Sequence, residues 1–236
     1  MEKNEKLSTV DFISSLLVRY KILLIVITLV IAVSLIGLAV GAVVTNASTE
    51  KNAALAEEIL DAYSELETAA SEKKEEAAAS FTELVAKGKE TRKGSYAYVR
   101  AVLCESQMLE TEDKKEEALN SLSVLRDLKS DLYLIPIALH RAAVLAEDLG
   151  KNDEALTYYY AVADHYGKTY FNMDRIYFNI GRLEELSGNN TRAQQIYSKL
   201  IDSASTKENS DSSLVSIARD RLIYLETAAG ENESEE

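Results

Sequence analysis

From Ile22 to Val44 the chain runs for 23 residues without a charged side chain, and Arg19 and Lys21 stand just before it. A helix rises about 1.5 Å per residue, so this run spans roughly 34 Å, enough to cross a ~30 Å hydrocarbon core with some tilt. Only Thr28 and Ser34 interrupt the Leu, Ile and Val with hydroxyls, and those can bond back to their own helix. A cleaved signal peptide is the competing reading, but its apolar core is shorter, about 7–15 residues, and the site around Thr45-Asn46-Ala47 is poor. The expectation is a retained single-pass transmembrane helix over 22–44. Basic residues stay on the cytoplasmic side, so the N-terminus is expected inside and the C-terminal domain outside.

Residues 1–21 are expected to form a cytoplasmic amphipathic segment. Ser8 to Asp11 reads as a capping box, and Phe12, Ile13, Leu16, Leu17 and Tyr20 follow as an apolar stripe suited to the membrane face. Within the run, Gly37 and Gly41 make a Gly-x-x-x-Gly pair, which lets helices approach closely and points to a homodimer or a lateral membrane partner.

Four of the 26 basic and three of the 39 acidic residues precede the run, so the rest carries 22 minus 36, a net charge of −14. Such a surface disfavours nucleic acid and anionic lipid. Cys104 is the only cysteine, so an intrachain disulfide is excluded, and small core filler is its expected role. His140 and His165 have no triad or metal-ligand spacing around them, so no enzymatic role and no cofactor are expected. Gly and Pro are scarce while Ala, Leu, Glu and Lys abound, a composition that points to an all-α chain.

Ala118, Ala155 and Ala193 sit in similar phrases, Glu-Glu-Ala-Leu, Asp-Glu-Ala-Leu and Thr-Arg-Ala-Gln, with Leu122, Tyr159 and Tyr197 four residues on. The spacings are 155 − 118 = 37 and 193 − 155 = 38. Gly150 and Gly188 lie five residues before the last two alanines, where a glycine supplies the left-handed residue that ends a helix. Asp153 then offers a capping or first-turn acid. Ile135, Leu139, Ala142, Ala143 and Ala146 share one helical face, as do Ile176, Ile180, Leu183 and Leu186. A fainter copy pairs the helix Ala54–Leu66 with Ala77, Phe81 and Leu84, and Ser213–Leu225 has no partner after it and reads as a capping helix.

This pattern resembles the tetratricopeptide repeat family, with Gly181, Gly188, Ala193 and Tyr197 in the last repeat and Ala143, Gly150, Ala155 and Tyr159 in the one before. The family proline at the repeat end is missing. The resemblance implies an α-solenoid of three to four helix pairs plus a capping helix over 45–228, while the acidic composition of the tail, 229–236, leads to the expectation that it is disordered. It also implies a groove lined by the first helix of each pair. Carried over by aligning the alanines, the groove positions are Arg100, Leu103, Gln107 and Glu110, then Ile137, His140, Val144 and Glu147, then Arg175, Phe178, Arg182 and Glu185. Their mix of apolar and charged groups suits an extended peptide. Tyr158, Tyr159 and Tyr160 spread over about 200° of a helix, so Tyr158 and Tyr160 must contact a neighbouring helix or lie partly exposed.

A charged N-terminal segment, one span and an acidic repeat domain together resemble the YfgM-type ancillary subunit of the bacterial Sec translocon. That resemblance implies an inner-membrane, single-pass protein with a periplasmic repeat domain and, as partners, translocon subunits or chaperones. A structural scaffold for envelope or cell-division complexes is the alternative, and an accessory to a peptidase or hydrolase a third, with no residues to support it.

Overall fold

The computed structural model describes residues 20–128, 130–205 and 212–233. These residues are all-α: α1 (Lys21–Thr68), α2 (Lys74–Glu90), α3 (Tyr96–Thr111), α4 (Lys115–Ser123), α5 (Leu134–Asp148), α6 (Asn152–Tyr166), α7 (Met173–Leu186), α8 (Asn190–Ser205) and α9 (Ser212–Glu233). The chain divides into two units, Met1–Lys51 and Asn52–Glu236.

In the first unit the backbone of 21–51 is helical. Ser34 donates to the Val30 carbonyl at 2.8 Å, the back-bond that lets a hydroxyl sit in an apolar helix. Among the described residues no helix is long and apolar enough to cross a membrane. Most side chains of the expected span 22–44, including Gly37 and Gly41, lie outside the described residues, as does the expected amphipathic segment up to residue 19. The expected acidic tail, 229–236, also has its side chains outside them, although α9 extends to Glu233.

In the second unit, neighbouring helices pack in order: α2 on α3, α5 on α6, α7 on α8, and α9 against α8. The first pair, formed by the C-terminal part of α1 with α2, buries Ile59, Ala62 and Tyr63 against Phe81 and Val85, the Tyr63 and Phe81 rings lying 5.7 Å apart. The result is a helical repeat like that of a tetratricopeptide solenoid, with α3–α4, α5–α6 and α7–α8 as helix pairs, α9 as a cap, and α1 joined to α2 through side chains, among the described residues.

The turn inside each of the last three pairs is built the same way. Asp113, Gly150 and Gly188 take φ of 60, 73 and 77°, the left-handed region that a side chain adopts at a cost. The next residue's N–H then reaches back to the helix end: Lys114 to Leu109, Lys151 to Ala146 and Asn189 to Glu184, at 2.8–2.9 Å. These bonds satisfy carbonyls that the helix terminus leaves orphaned. Asp113 is therefore the first repeat's version of the two glycines, tolerated because Asp visits this region more readily than most side chains.

The small residues do what the repeat resemblance implies. Ala143, Ala155 and Ala193 are fully buried, and a Cβ added to Gly181 would lie 2.5 Å from the Tyr197 ring. Tyr159 and Tyr197 fill the space beside them. Besides their sequence neighbours, α3 touches α5 and α7 touches α9, and no comparable contact joins α4, α6 and α8 among the described residues. The odd-numbered helices thus line the shorter, inner wall of the repeat stack.

Candidate interaction surface

A ladder of ion pairs runs along the C-terminal ends of the odd helices. Glu110 of α3 receives Arg141 of α5, Glu147 of α5 receives Arg182 of α7, and Glu185 of α7 receives Arg221 of α9. An acid in the last turn of a helix opposes the helix dipole, so each rung needs its cation. Hydroxyls complete the shells: Ser106 donates to Glu110 at 3.4 Å, Tyr159 to Glu147 at 2.6 Å and Tyr197 to Glu185 at 3.2 Å. Burial and the Glu147 carboxylate push the Tyr159 phenol far above its ordinary value, so it stays a donor. In the last two pairs the aromatic of the second helix, Tyr159 or Tyr197, therefore fills the gap beside a small residue and also anchors the rung, while Leu122 only packs and Ser106 completes the first rung.

The ladder changes the meaning of several groove positions. Glu110, Glu147, Arg182 and Glu185 are committed to one another's neighbours and hold successive repeats together. Leu103 is only 5% exposed and belongs to the core cluster that α3 shares with α4 and α5. Gln107, Ile137 and Phe178 are half-buried, and the Phe178 ring lies 6.3 Å from Tyr197. Val144 and Arg175 are exposed. Arg100 stacks over the Tyr96 ring at 5.4 Å and donates to its hydroxyl at 2.8 Å. His140 shares a 2.8 Å hydrogen bond between its Nδ1 and the Tyr170 hydroxyl and packs edge-on against that ring. Burial, with the Arg175 guanidinium beside it, pushes the His140 imidazole below its ordinary value.

The three consecutive tyrosines divide their work. Tyr158 and Tyr159 are fully buried, and half-buried Tyr160 donates across to Glu184 of α7 at 2.6 Å. Asn189 also donates to Glu184, at 2.7 Å, so this buried carboxylate is satisfied within the stack. Cys104 is buried, and burial pushes its thiol up to about 11, which suits inert core filler.

Between α7, α8 and α9 the inner wall opens into a groove of about 640 Å³, lined by Phe178, Leu186, Tyr197 and Ile217 and bounded by the Arg182, Glu185 and Arg221 rungs. Leu186 is 66% exposed and Ile217 46%. A second, smaller cavity of about 270 Å³ lies at the opposite ends of the odd helices, among Tyr133, Ile137, Tyr170 and Phe171. Neither Leu186, Ile217, Tyr133 nor Phe171 stands at a groove position carried over from the repeat family. Yet Tyr96, Tyr133 and Tyr170 recur at 133 − 96 = 37 and 170 − 133 = 37, a signal present in the sequence. Among the described residues no group of His, Cys, Asp and Glu is arranged to hold a metal ion.

The sequence matches no protein-family model, and no curated protein matches it.

Proposed function

We propose that this chain is a protein-interaction adaptor, held at a membrane by residues 22–44, whose inner repeat wall receives a segment of another protein. The observation that carries it is the 640 Å³ groove, where Leu186 and Ile217 stand exposed beside a closed ion-pair ladder. Contiguous apolar surface rimmed by polar groups marks an interaction site more often than a bare surface. Support for the anchor comes from the uncharged run and from Val30, Ile31, Val33 and Leu35, which are apolar and 52–61% exposed.

The resemblance in layout favours translocon subunits or periplasmic chaperones as partners, with the N-terminus cytoplasmic in the inner membrane. Assembly as an envelope or cell-division scaffold is the second reading, favoured by the Gly37 and Gly41 spacing that would bring spans together. Nucleic acid does not fit a chain of net charge −13.

The test is site-specific photo-crosslinking in living cells with the full chain, placing the crosslinker at Val144 or Ile217 on the inner wall and at Thr157 on α6. Adducts with translocon or chaperone proteins from the first two sites, and none from Thr157, are expected. Envelope-synthesis partners would select the scaffold reading. Adducts confined to Thr157, or to cytoplasmic proteins, would overturn the site or the orientation.

A further inference from the structure

The other edge of the inner wall carries a different chemistry. Tyr96, Tyr133 and Tyr170 stand at the N-terminal ends of α3, α5 and α7, once per repeat. The Tyr96 and Tyr133 hydroxyls lie 3.0 Å apart with ring centroids at 6.2 Å, and the Tyr170 and Phe171 rings lie 5.0 Å apart. The smaller cavity is lined by Tyr133 of the first pair and by Tyr170 and Phe171 of the second, with Pro136 and Ile137 beside them. Tyr133 is 60% exposed and Phe171 82%. Aromatics at those exposures, around a ready-made cavity, are placed for a partner side chain.

The charges on this edge are the ones the ladder leaves over. Arg141, Arg182 and Arg221 each have a glutamate. Arg175, at the start of α7, is exposed, and no ion pair joins it to a carboxylate among the described residues. Arg100 is held by a phenol and a ring face in place of an acid, and its buried Nε has no hydrogen-bond partner. Arg175 lies in the first turn of α7, five residues after Tyr170, and His140 is bonded to Tyr170 at the cavity wall. The carboxylates of this edge are Asp131 on the cavity rim and Asp174, buried beside Arg175 in the first turn of α7. In a chain of net charge −13, this edge is a local concentration of uncommitted cations beside aromatic rings.

We infer that this edge binds an acidic segment of a partner protein, with an aromatic or large aliphatic side chain seated in the Tyr133–Phe171 cavity and carboxylates on Arg100 and Arg175. A guanidinium already stacked on a ring offers a pre-oriented fork to a carboxylate, so little rotamer freedom is lost on binding. The surrounding acidic surface repels an acidic segment elsewhere and directs it here. This rests on the adaptor reading and adds the chemistry of the partner and a second contact edge.

The experiment uses the full chain in mild detergent and a labelled short peptide alternating Asp or Glu with Phe and Leu, read by fluorescence anisotropy. A peptide with Asn and Gln in place of the acids is the control. Saturable binding of the acidic peptide is expected, with affinity falling on added salt. Arg175→Glu should weaken it about tenfold or more, the scale of one lost charged contact made repulsive. Phe171→Ser should weaken both peptides, and Arg126→Glu, on an exposed turn after α4, should change neither. Equal binding of the acidic and neutral peptides, or indifference to Arg175→Glu in a protein that keeps its helical signal, would overturn the inference. Should crosslinks from Val144 and Ile217 persist in that case, the adaptor reading stands and only the acidic chemistry fails.

Discussion

Along one edge of the inner wall, Glu110, Glu147 and Glu185 each meet an arginine from the next repeat; along the other, Arg100 and Arg175 meet ring faces or solvent. Both edges are built from the same odd helices at a spacing of 37 or 38 residues, so the difference lies in what the side chains are spent on. The ladder edge consumes its charges to set the stacking of one repeat on the next. The aromatic edge leaves rings and cations unspent. A repeat stack has only nearest-neighbour interfaces, so whatever fixes one repeat on the next has to be present at every junction. That requirement explains why the ladder recurs, and why its members are poor candidates for partner binding even though they line the groove.

The sharpest way to break this comparison is to truncate one tyrosine on each edge. Tyr159→Ala empties a fully buried site and removes the donor to Glu147, so a loss of about 3–5 kcal/mol in urea unfolding is expected. Tyr133→Ala, at a residue 60% exposed, should cost less than about 1 kcal/mol. Similar losses at both would mean that the aromatic edge is also structural.

Ala193→Leu probes the packing on which both edges depend. The residue is fully buried next to Tyr197 and the Gly181 contact, so the added volume should destabilise by about 1–3 kcal/mol. An unchanged melting temperature would show that the repeats do not meet at this alanine.

A smaller difference separates the two kinds of charge. Glu147→Ala leaves Arg182 without its partner and Tyr159 without an acceptor, which should cost about 1–2 kcal/mol once solvent screening of the partly exposed arginine is allowed for. Arg175→Ala, at a cation with no ion pair, should lie within about 0.5 kcal/mol of the parent. Chemical denaturation of the two variants side by side gives the contrast directly, and a reversed order would sink the assignment of roles.

The period and the helix pairing were legible because they follow from small residues and from Gly at fixed spacing, which the close approach of helices enforces. The first repeat's turn was harder to read, since Asp113 takes the place of the glycine and only its φ reveals the equivalence. Half of the ladder was written in plain view: Glu110, Glu147 and Glu185 recur at 37 and 38. The partners did not give themselves away, because 182 − 141 = 41 and 221 − 182 = 39 break the register. A guanidinium on a long flexible stem reaches the same carboxylate from different backbone positions, so its spacing carries little information. The carried-over groove positions failed to separate Leu103 from Val144 for a related reason. Alignment fixes a helical face, while burial depends on how far the next helix leans over it.

The smallest effect is a pH dependence that tests whether Arg175 truly overlooks the aromatic edge. His140 is held below its ordinary value of 6.5 by burial first and by Arg175 second, with Glu147 opposing; the Tyr159 and Tyr170 rings complete its surroundings. With the folded value depressed, the unfolded chain binds the proton more readily, so stability increases with pH across the window between the two values. The contribution is fully present above about pH 6.5 and is lost as pH falls through the folded value. Arg175→Gln removes one of the two depressing influences. The His140 resonance followed by NMR should then titrate at higher pH, and the acid-side slope of stability should shrink, while His140→Gln should remove this contribution altogether. A His140 titration unmoved by Arg175→Gln would place the guanidinium away from the Tyr170 edge, and the cationic half of the comparison would fall with it.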